Sequence, residues 1–513
     1  MTASHAENTQ RIAKNTLLLY VRMLFSMLVS LYTSRIVLNA LGVEDYGIYN
    51  VVGGLVSMFS VVSISLSSAV SRFLTFELGR GDTERLKRVF STSVMIHLAL
   101  AMIVLALAET VGMWFLNTQM NIPSERLPAA RWVLHASAFN FALSLWAVPY
   151  NASIISHEKM GIYAYYDILS VALKLAVVLF IAYAPFVYDR LIVYALLLLG
   201  IGIVMRGIYT GYCKKHFEES HFRFRFDREC WKEIGSFAGW NFIGSTAGLL
   251  KDQGVNILMN IFLGPVINAA RGIASAVNSA VMTFANNFMM AVRPQITKSY
   301  ASGDNDYTMS LVERGSRFSF YILFVLSLPI LFETDFILTL WLKQYPEHTV
   351  WFVRFVLLLS MCDILSSTLI TLQSATGKIR DYQLVVGGII LLDFPLSWIC
   401  LEVGFAPEAV YVVSVCISLF ALLVRLVFLR KMAGLDIMRF LKNVCANVAG
   451  VSLAALVMPT AVFFCIPEDG WLRFVSVGAV SVASAAAAAF FIGCTKNEKE
   501  FLVNRAKSLV RRK

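Results

Sequence analysis

The sequence predicts an all-α polytopic membrane protein of 14 transmembrane helices, built as two pseudo-symmetric six-helix bundles plus two C-terminal helices. Three observations lead to that class. Apolar residues make up 58% of the 513 and charged residues only 15%, against roughly a quarter charged in soluble domains, and the mean hydropathy is +0.68. Apolar stretches of about 20 residues, enough to cross a bilayer, recur along the whole chain. A pattern near the N-terminus also returns after a shift of 222 residues.

The spans fall at 16–38, 47–70, 90–115, 129–154, 165–185, 190–212, 236–260, 272–292, 317–340, 351–374, 384–401, 409–429, 443–464 and 473–494, with 236–260 and 272–292 the least apolar. Helices satisfy their own backbone in lipid, and the short alternating strands of a barrel are not seen. The start, MTASHAENTQRIAKNTLLLY, has no short apolar core followed by a cleavage site. It reads as the entry to a retained first helix.

Loop charge tests the layout. With the N-terminus in the cytoplasm, Arg72, Arg80, Arg85, Lys87 and Arg88 lie inside, as do Lys214, Lys215, Arg223, Arg225, Arg228 and Lys232. Arg293, Lys298 and Arg314, then Lys378 and Arg380, then Arg430, Lys431, Arg439 and Lys442, and finally the basic tail, follow the same rule. Loops on the other side, VEDYG at 43–47, EVGFAPEA at 402–409 and IPEDG at 466–470, are poor in Lys and Arg. Both termini are therefore placed in the cytoplasm by the positive-inside rule. The net charge of +11 is assigned to these loops, with no nucleic-acid partner.

The repeat gives the organisation. Leu41-Gly42 falls on Leu263-Gly264, Ser57 on Ser279, Val70 on Val292 and Gly81-Asp82 on Gly303-Asp304. VSRFLTFELGRGD (70–82) and VRPQITKSYASGD (292–304) are matching corners, in which Gly permits a tight turn and Asp caps the next helix. Six spans per unit give both halves the same orientation. The expected parts are a first bundle (1–212), a cytoplasmic linker (213–235), a second bundle (236–430), and helices 13 and 14 with a basic tail (431–513). Two parallel bundles around a path suit a carrier that opens alternately to either side. No selectivity-filter motif points to a pore.

Ionisable groups at membrane depth default to function. Arg22, Lys174, Arg206, Lys251 and Arg271 are the candidates for binding an anionic headgroup, since Arg and Lys clamp phosphate. Asp167, Asp252 and Asp363 are candidates for ion coupling or charge pairing; Lys251 and Asp252 also read as a neutralising pair between helices. Arg35, Arg131 and Arg354, nearer the helix ends, are explained by snorkelling. Helices two and eight carry Ser57, Ser60, Ser279, Thr283 and Asn286 as candidate cavity-lining groups, although small polar residues also serve tight helix packing. The eight Cys and seven His are scattered, without a CxxC or HExxH motif, so no metal site or disulfide framework is expected. No P-loop, GxGxxG or long outer catalytic loop supports an enzyme.

RIVLNALGVEDYGIY, from Arg35 to Tyr49, within RIAKNTLLLYVRMLFSMLVSLYTSRIVLNALGVEDYGIYNVVGG, is the most specific stretch. Together with SRFLTFELGRGD and the 14-helix plan, it resembles the polysaccharide-export branch of the multidrug/oligosaccharidyl-lipid/polysaccharide (MOP) exporter superfamily, above all the O-antigen and capsule repeat-unit flippases. The resemblance implies a non-enzymatic carrier in a bacterial inner membrane, active in lipopolysaccharide or capsule biosynthesis. It would move an undecaprenyl-pyrophosphate-linked glycan from the cytoplasmic to the periplasmic leaflet. Its partners would be that lipid-linked glycan, membrane lipids and other polysaccharide-assembly membrane proteins. No cofactor is implied beyond Na+ or H+ as a coupling ion. The alternative reading is a cation-coupled exporter of drugs or metabolites.

Overall fold

The computed structural model describes residues 3–57, 60–118, 120, 122–184, 188–222, 227–263, 265–467 and 470–500. The described residues are helical, with no strand among them. The helices are α1 (Ala3–Ser57), α2 (Ser60–Arg80), α3 (Thr83–Thr118), α4 (Leu127–Ser156), α5 (Met160–Tyr183), α6 (Arg190–His216), α7 (Arg228–Leu263) and α8 (Pro265–Ala301). Then follow α9 (Asn305–Phe332), a short α10 (Thr334–Leu342), α11 (Thr349–Thr376), α12 (Arg380–Glu402), α13 (Ala409–Ala433), α14 (Ile437–Cys465) and α15 (Trp471–Gly493). Ten stretches among the described residues are long and apolar enough to cross a membrane: Arg11–Ser30 of α1, and α3, α5, α6, α9, and α11 to α15. The chain is thus an all-α polytopic membrane protein.

Three stretches expected outside the spans are helical instead. VEDYG at 43–47 continues α1, which is interrupted only at Gly42 (φ 83, ψ 166). The stretches 71–80 and 293–301 continue α2 and α8. Polar side chains at a membrane surface do not end a helix; a backbone in the left-handed region does. Gly81 (φ 74) and Gly303 (φ 79) supply it, at little steric cost because they lack a Cβ. Asp82 then accepts from the backbone N–H of Arg85, and Asp304 from that of Tyr307, capping α3 and α9. The starts of α3 and α9, and those of α4 and α11, keep the offset of 222 residues seen in the sequence.

Contacts divide the chain into a first unit, Met1–Ser245 with Thr297–Gly303, and a second, Thr246–Ile296 with Asp304–Lys513. In the first, α4 packs against α1, α2, α3, α5 and α6. Its buried face is built largely of small residues, among them Ala129, Ala130, Ala138, Ala152, Ser153 and Ser156. Small residues let backbones approach where lipid removes the hydrophobic drive to associate. The end of α8 seats on α2 the same way: a Cβ on Gly79 would lie 2.7 Å from the Lys298 carbonyl oxygen and 2.8 Å from the Ala301 Cβ. Lys298 also reaches Glu158, in the turn after α4, at 2.6 Å. In the second unit α9 packs on α11 and α15, α11 on α13, and α14 on α15. Gly315 of α9 similarly faces Thr368 of α11, whose hydroxyl is 2.5 Å from that of Ser316.

Ion pairs hold the helix ends. Arg126, just before α4, binds Asp45 and Asp189, the latter at 2.6 Å and just before α6. In the second unit His348 occupies the matching place before α11 and lies 2.5 Å from Glu408, just before α13. At the basic end of the first unit Arg85 joins Glu77 (3.1 Å) to Glu233 (2.8 Å), so this arginine is tied into the protein as well as basic. Glu219 accepts from Ser153 at 2.8 Å and lies 2.7 Å from His157. Burial pushes its carboxyl upward, but the His157 hydrogen bond and charge, with the Ser153 and backbone bonds, outweigh that and hold it below its ordinary value.

Gly79→Ala is expected to lower stability by about 1–3 kcal/mol, as overpacking does, whereas Asp82→Ala removes one cap worth about 1 kcal/mol; thermal unfolding in detergent reads both. Because the Glu219 pKa is depressed by folding, its contribution is complete above the unfolded value and lost as pH falls through the folded one. The stability gap between wild type and Glu219→Gln should therefore shrink as pH is lowered below the ordinary 4.5, measured by unfolding midpoints across that range.

Candidate functional site

A cavity of about 520 Å³ lies within the second unit, between α7, α8, α11 and α13. α8 presents Arg271, Ser275, Asn278, Ser279 and Met282 to it, a spacing of three and four that places them on one helical face. α7 contributes Lys251, Val255 and Asn256; α11 contributes Val356, Leu359, Ser360 and Asp363; α13 contributes Tyr411 and Ser414. The lining thus alternates amides and hydroxyls with a few apolar groups, within the usual volume range of a small-ligand site.

The charges of the cavity are held from behind. Lys251 Nζ lies 3.3 Å from Asp393 Oδ2, and the Asp393 side chain is fully buried. Ser397 donates to the other Asp393 oxygen at 3.1 Å. Asp363 accepts a hydrogen bond from Ser418. The Arg271 guanidinium sits over the Tyr411 ring, 5.7 Å from its centroid. Ser360 donates to the Asn278 oxygen at 2.7 Å, which leaves the amide N–H groups of Asn278 directed elsewhere.

Of the five basic residues singled out from the sequence, the cavity brings together Lys251 and Arg271. The other three lie in the first unit. Arg22 pairs with Asp167 at 3.7 Å, and Ser26 donates to the same carboxylate at 3.3 Å. Arg206 is buried with its guanidinium over Trp146 (4.0 Å) and Tyr150 (4.3 Å). Lys174 is exposed on α5. Asp363 and Ser279 line the cavity; Thr283 and Asn286, further along α8, do not appear in its described lining. The Thr283 hydroxyl instead donates to the Ser279 carbonyl at 2.7 Å. The side chains of Ser57, Ser60 and Asp252 lie outside the described residues. The described partner of Lys251 is Asp393 on α12.

Asp393 was missed in the sequence, as were Asn256, Ser360 and Tyr411 as site residues. Asp393 had a signal, a lone acid inside GGIILLDFPLSW. The others carry none beyond polarity at helical spacing.

A family model described as polysaccharide biosynthesis protein matches residues 12–299. The chain belongs to that family. The chain is 21% identical over 500 residues to the uncharacterized membrane protein EpsK of Bacillus subtilis, covering 94% of this chain and 95% of the relative. Its fold is that of solved MOP-superfamily transporters. A MATE transporter in a bent conformation aligns with a TM-score of 0.72 at 12% identity, over 85% of this chain and 98% of that one. An outward-facing multidrug resistance MATE transporter aligns at 0.69 and 12%, over 83% and 96%. A MOP transporter from Pyrococcus furiosus aligns at 0.67 and 13%, over 83% and 96%. Family membership makes the protein a membrane carrier for lipid-linked oligosaccharide in polysaccharide biosynthesis, and not an enzyme.

Removing one member of a buried ion pair strands the other, at a cost of about 3–5 kcal/mol, whereas replacing both by apolar groups is often near neutral. Lys251→Met and Asp393→Leu are each expected to destabilise the protein on that scale, and the double variant to recover most of the loss. Unfolding midpoints of the three variants in detergent measure it.

Proposed function

We propose that the protein moves an undecaprenyl-pyrophosphate-linked oligosaccharide from the cytoplasmic to the outer leaflet of a bacterial inner membrane by alternating access. The observation that carries this reading is the polar cavity among apolar helices, since polar and ionisable groups inside a membrane are costly and mark a substrate path. The glycan enters the cavity while the lipid tail stays in the bilayer, and no bond is made or broken. Fourteen crossings with both termini in the cytoplasm complete the layout. Ten are the long apolar stretches already described; the part of α1 after Gly42 with α2, and then α4, α7 and α8, supply the other four.

Coupling to Na+ or H+ falls to Asp363. It lines the cavity, Ser418 bonds its Oδ1, and Oδ2 remains to hold a cation or a proton. Arg22 with Asp167 serves as a charge pair of the first unit. A multidrug reading needs a cavity of net negative charge, whereas the described lining holds Lys251 and Arg271 against Asp363. In the Pyrococcus furiosus transporter, reversed polarity of the binding pocket suggests a different function.

In liposomes, labelled polyprenyl-pyrophosphate glycan is expected to equilibrate between leaflets only when the protein is present. Asp363→Asn should abolish the dependence of the rate on an imposed Na+ or pH gradient. Absence of movement with any polyprenyl-pyrophosphate glycan, or cellular resistance to cationic dyes in its place, would overturn the reading.

A further inference from the structure

We infer that the cavity of the second unit is a subsite for the neutral sugar rings of the substrate, and that the pyrophosphate binds outside it. The inference deepens the flippase reading and rests on it. The cavity's charge is the first ground. Its described lining holds two basic residues and one acidic one, Lys251 and Arg271 against Asp363. Asp393 stands directly behind Lys251 at 3.3 Å. The local balance is therefore zero. A pyrophosphate placed here would meet two cations, of which Lys251 already faces Asp393, and two carboxylates, in a medium that screens the repulsion poorly. Phosphate sites are built the other way, with an excess of Arg and Lys.

The neutral groups are the second ground. A sugar ring offers hydroxyls that both donate and accept, and it needs side chains able to do the same. Asn256, Asn278, Ser275, Ser279 and Ser414 line the cavity, and each amide or hydroxyl carries both capacities. Ser360 donates to the Asn278 side-chain oxygen at 2.7 Å, so what this cavity-lining amide has to offer a ligand is its N–H donors. Asp363, with one oxygen engaged by Ser418, can accept from a hydroxyl. Met282, Val356 and Leu359 supply apolar surface for the C–H faces of a pyranose. The volume of about 520 Å³ sits in the range of small-molecule sites and leaves room for a short glycan.

The test uses the full-length protein in lipid nanodiscs and two probes: the polyprenyl-pyrophosphate glycan extracted from the cell that makes the protein, and undecaprenyl pyrophosphate without sugar. Asn278→Ala is expected to weaken binding of the glycan-bearing lipid at least tenfold, while leaving the sugar-free lipid within twofold. Asn256→Ser, at a position only partly buried, carries the same expectation should Asn278→Ala fail to fold. Equal weakening of both probes would place the pyrophosphate in the cavity and overturn the inference. Loss of neither would show that the cavity is no part of the binding site. Failure of the wild-type protein to bind either lipid is a different result, which sinks the flippase reading itself.

Discussion

A charge carried into a low-dielectric medium must be met by another group of the protein, and this constraint shapes the structure wherever a polar residue enters a helix. Asp393 is met by Lys251 and Ser397, Asp363 by Ser418, and Asp167 by Arg22 and Ser26. Each partnership ties two helices together at a defined height, so it specifies packing where hydrophobicity cannot discriminate between lipid and protein. Arg206 follows another route and lays its guanidinium on the faces of Trp146 and Tyr150, where the ring quadrupoles take the place of a carboxylate.

Close packing at small residues is the second organising device. Gly79 allows the end of α8 to rest on the backbone of α2, and Gly315 allows α9 to rest on α11. Each contact sits beside a polar lock, Lys298 with Glu158 in one case and Ser316 with Thr368 in the other. The corners that follow, Gly81-Asp82 and Gly303-Asp304, turn the chain by the same two steps: a left-handed glycine, then an aspartate cap. The duplication is also visible in the clamps that close the helix ends. Arg126 with Asp189 sits before α4 and α6, and His348 with Glu408 sits likewise before α11 and α13.

These devices converge on the cavity. It exists because α8 turns one polar face, from Arg271 to Met282, toward α11 and α13, while Asp393 neutralises Lys251 from behind. The proposed sugar subsite uses that combination, polar to replace water around sugar hydroxyls and balanced in charge to release them.

The sequence by itself determined the membrane class, the helical architecture, the repeat and its corners, because these depend on local properties: apolar run length, loop charge, and the backbone demands of Gly and Asp. It also picked out Lys251, Arg271, Asp363 and Ser279, since ionisable and polar residues stand out against an apolar background. It did not end the helices correctly at 70 and 292, because side-chain polarity at a bilayer surface does not stop a helix, whereas the φ of Gly81 and Gly303 does. Only the tertiary structure decided that Lys251 answers Asp393 from 142 positions away in the chain, and that Arg22, Lys174 and Arg206 stand apart from the cavity. Which charges face a cavity and which face one another depends on helix rotation and on contacts between distant segments, and no local pattern in the chain encodes either.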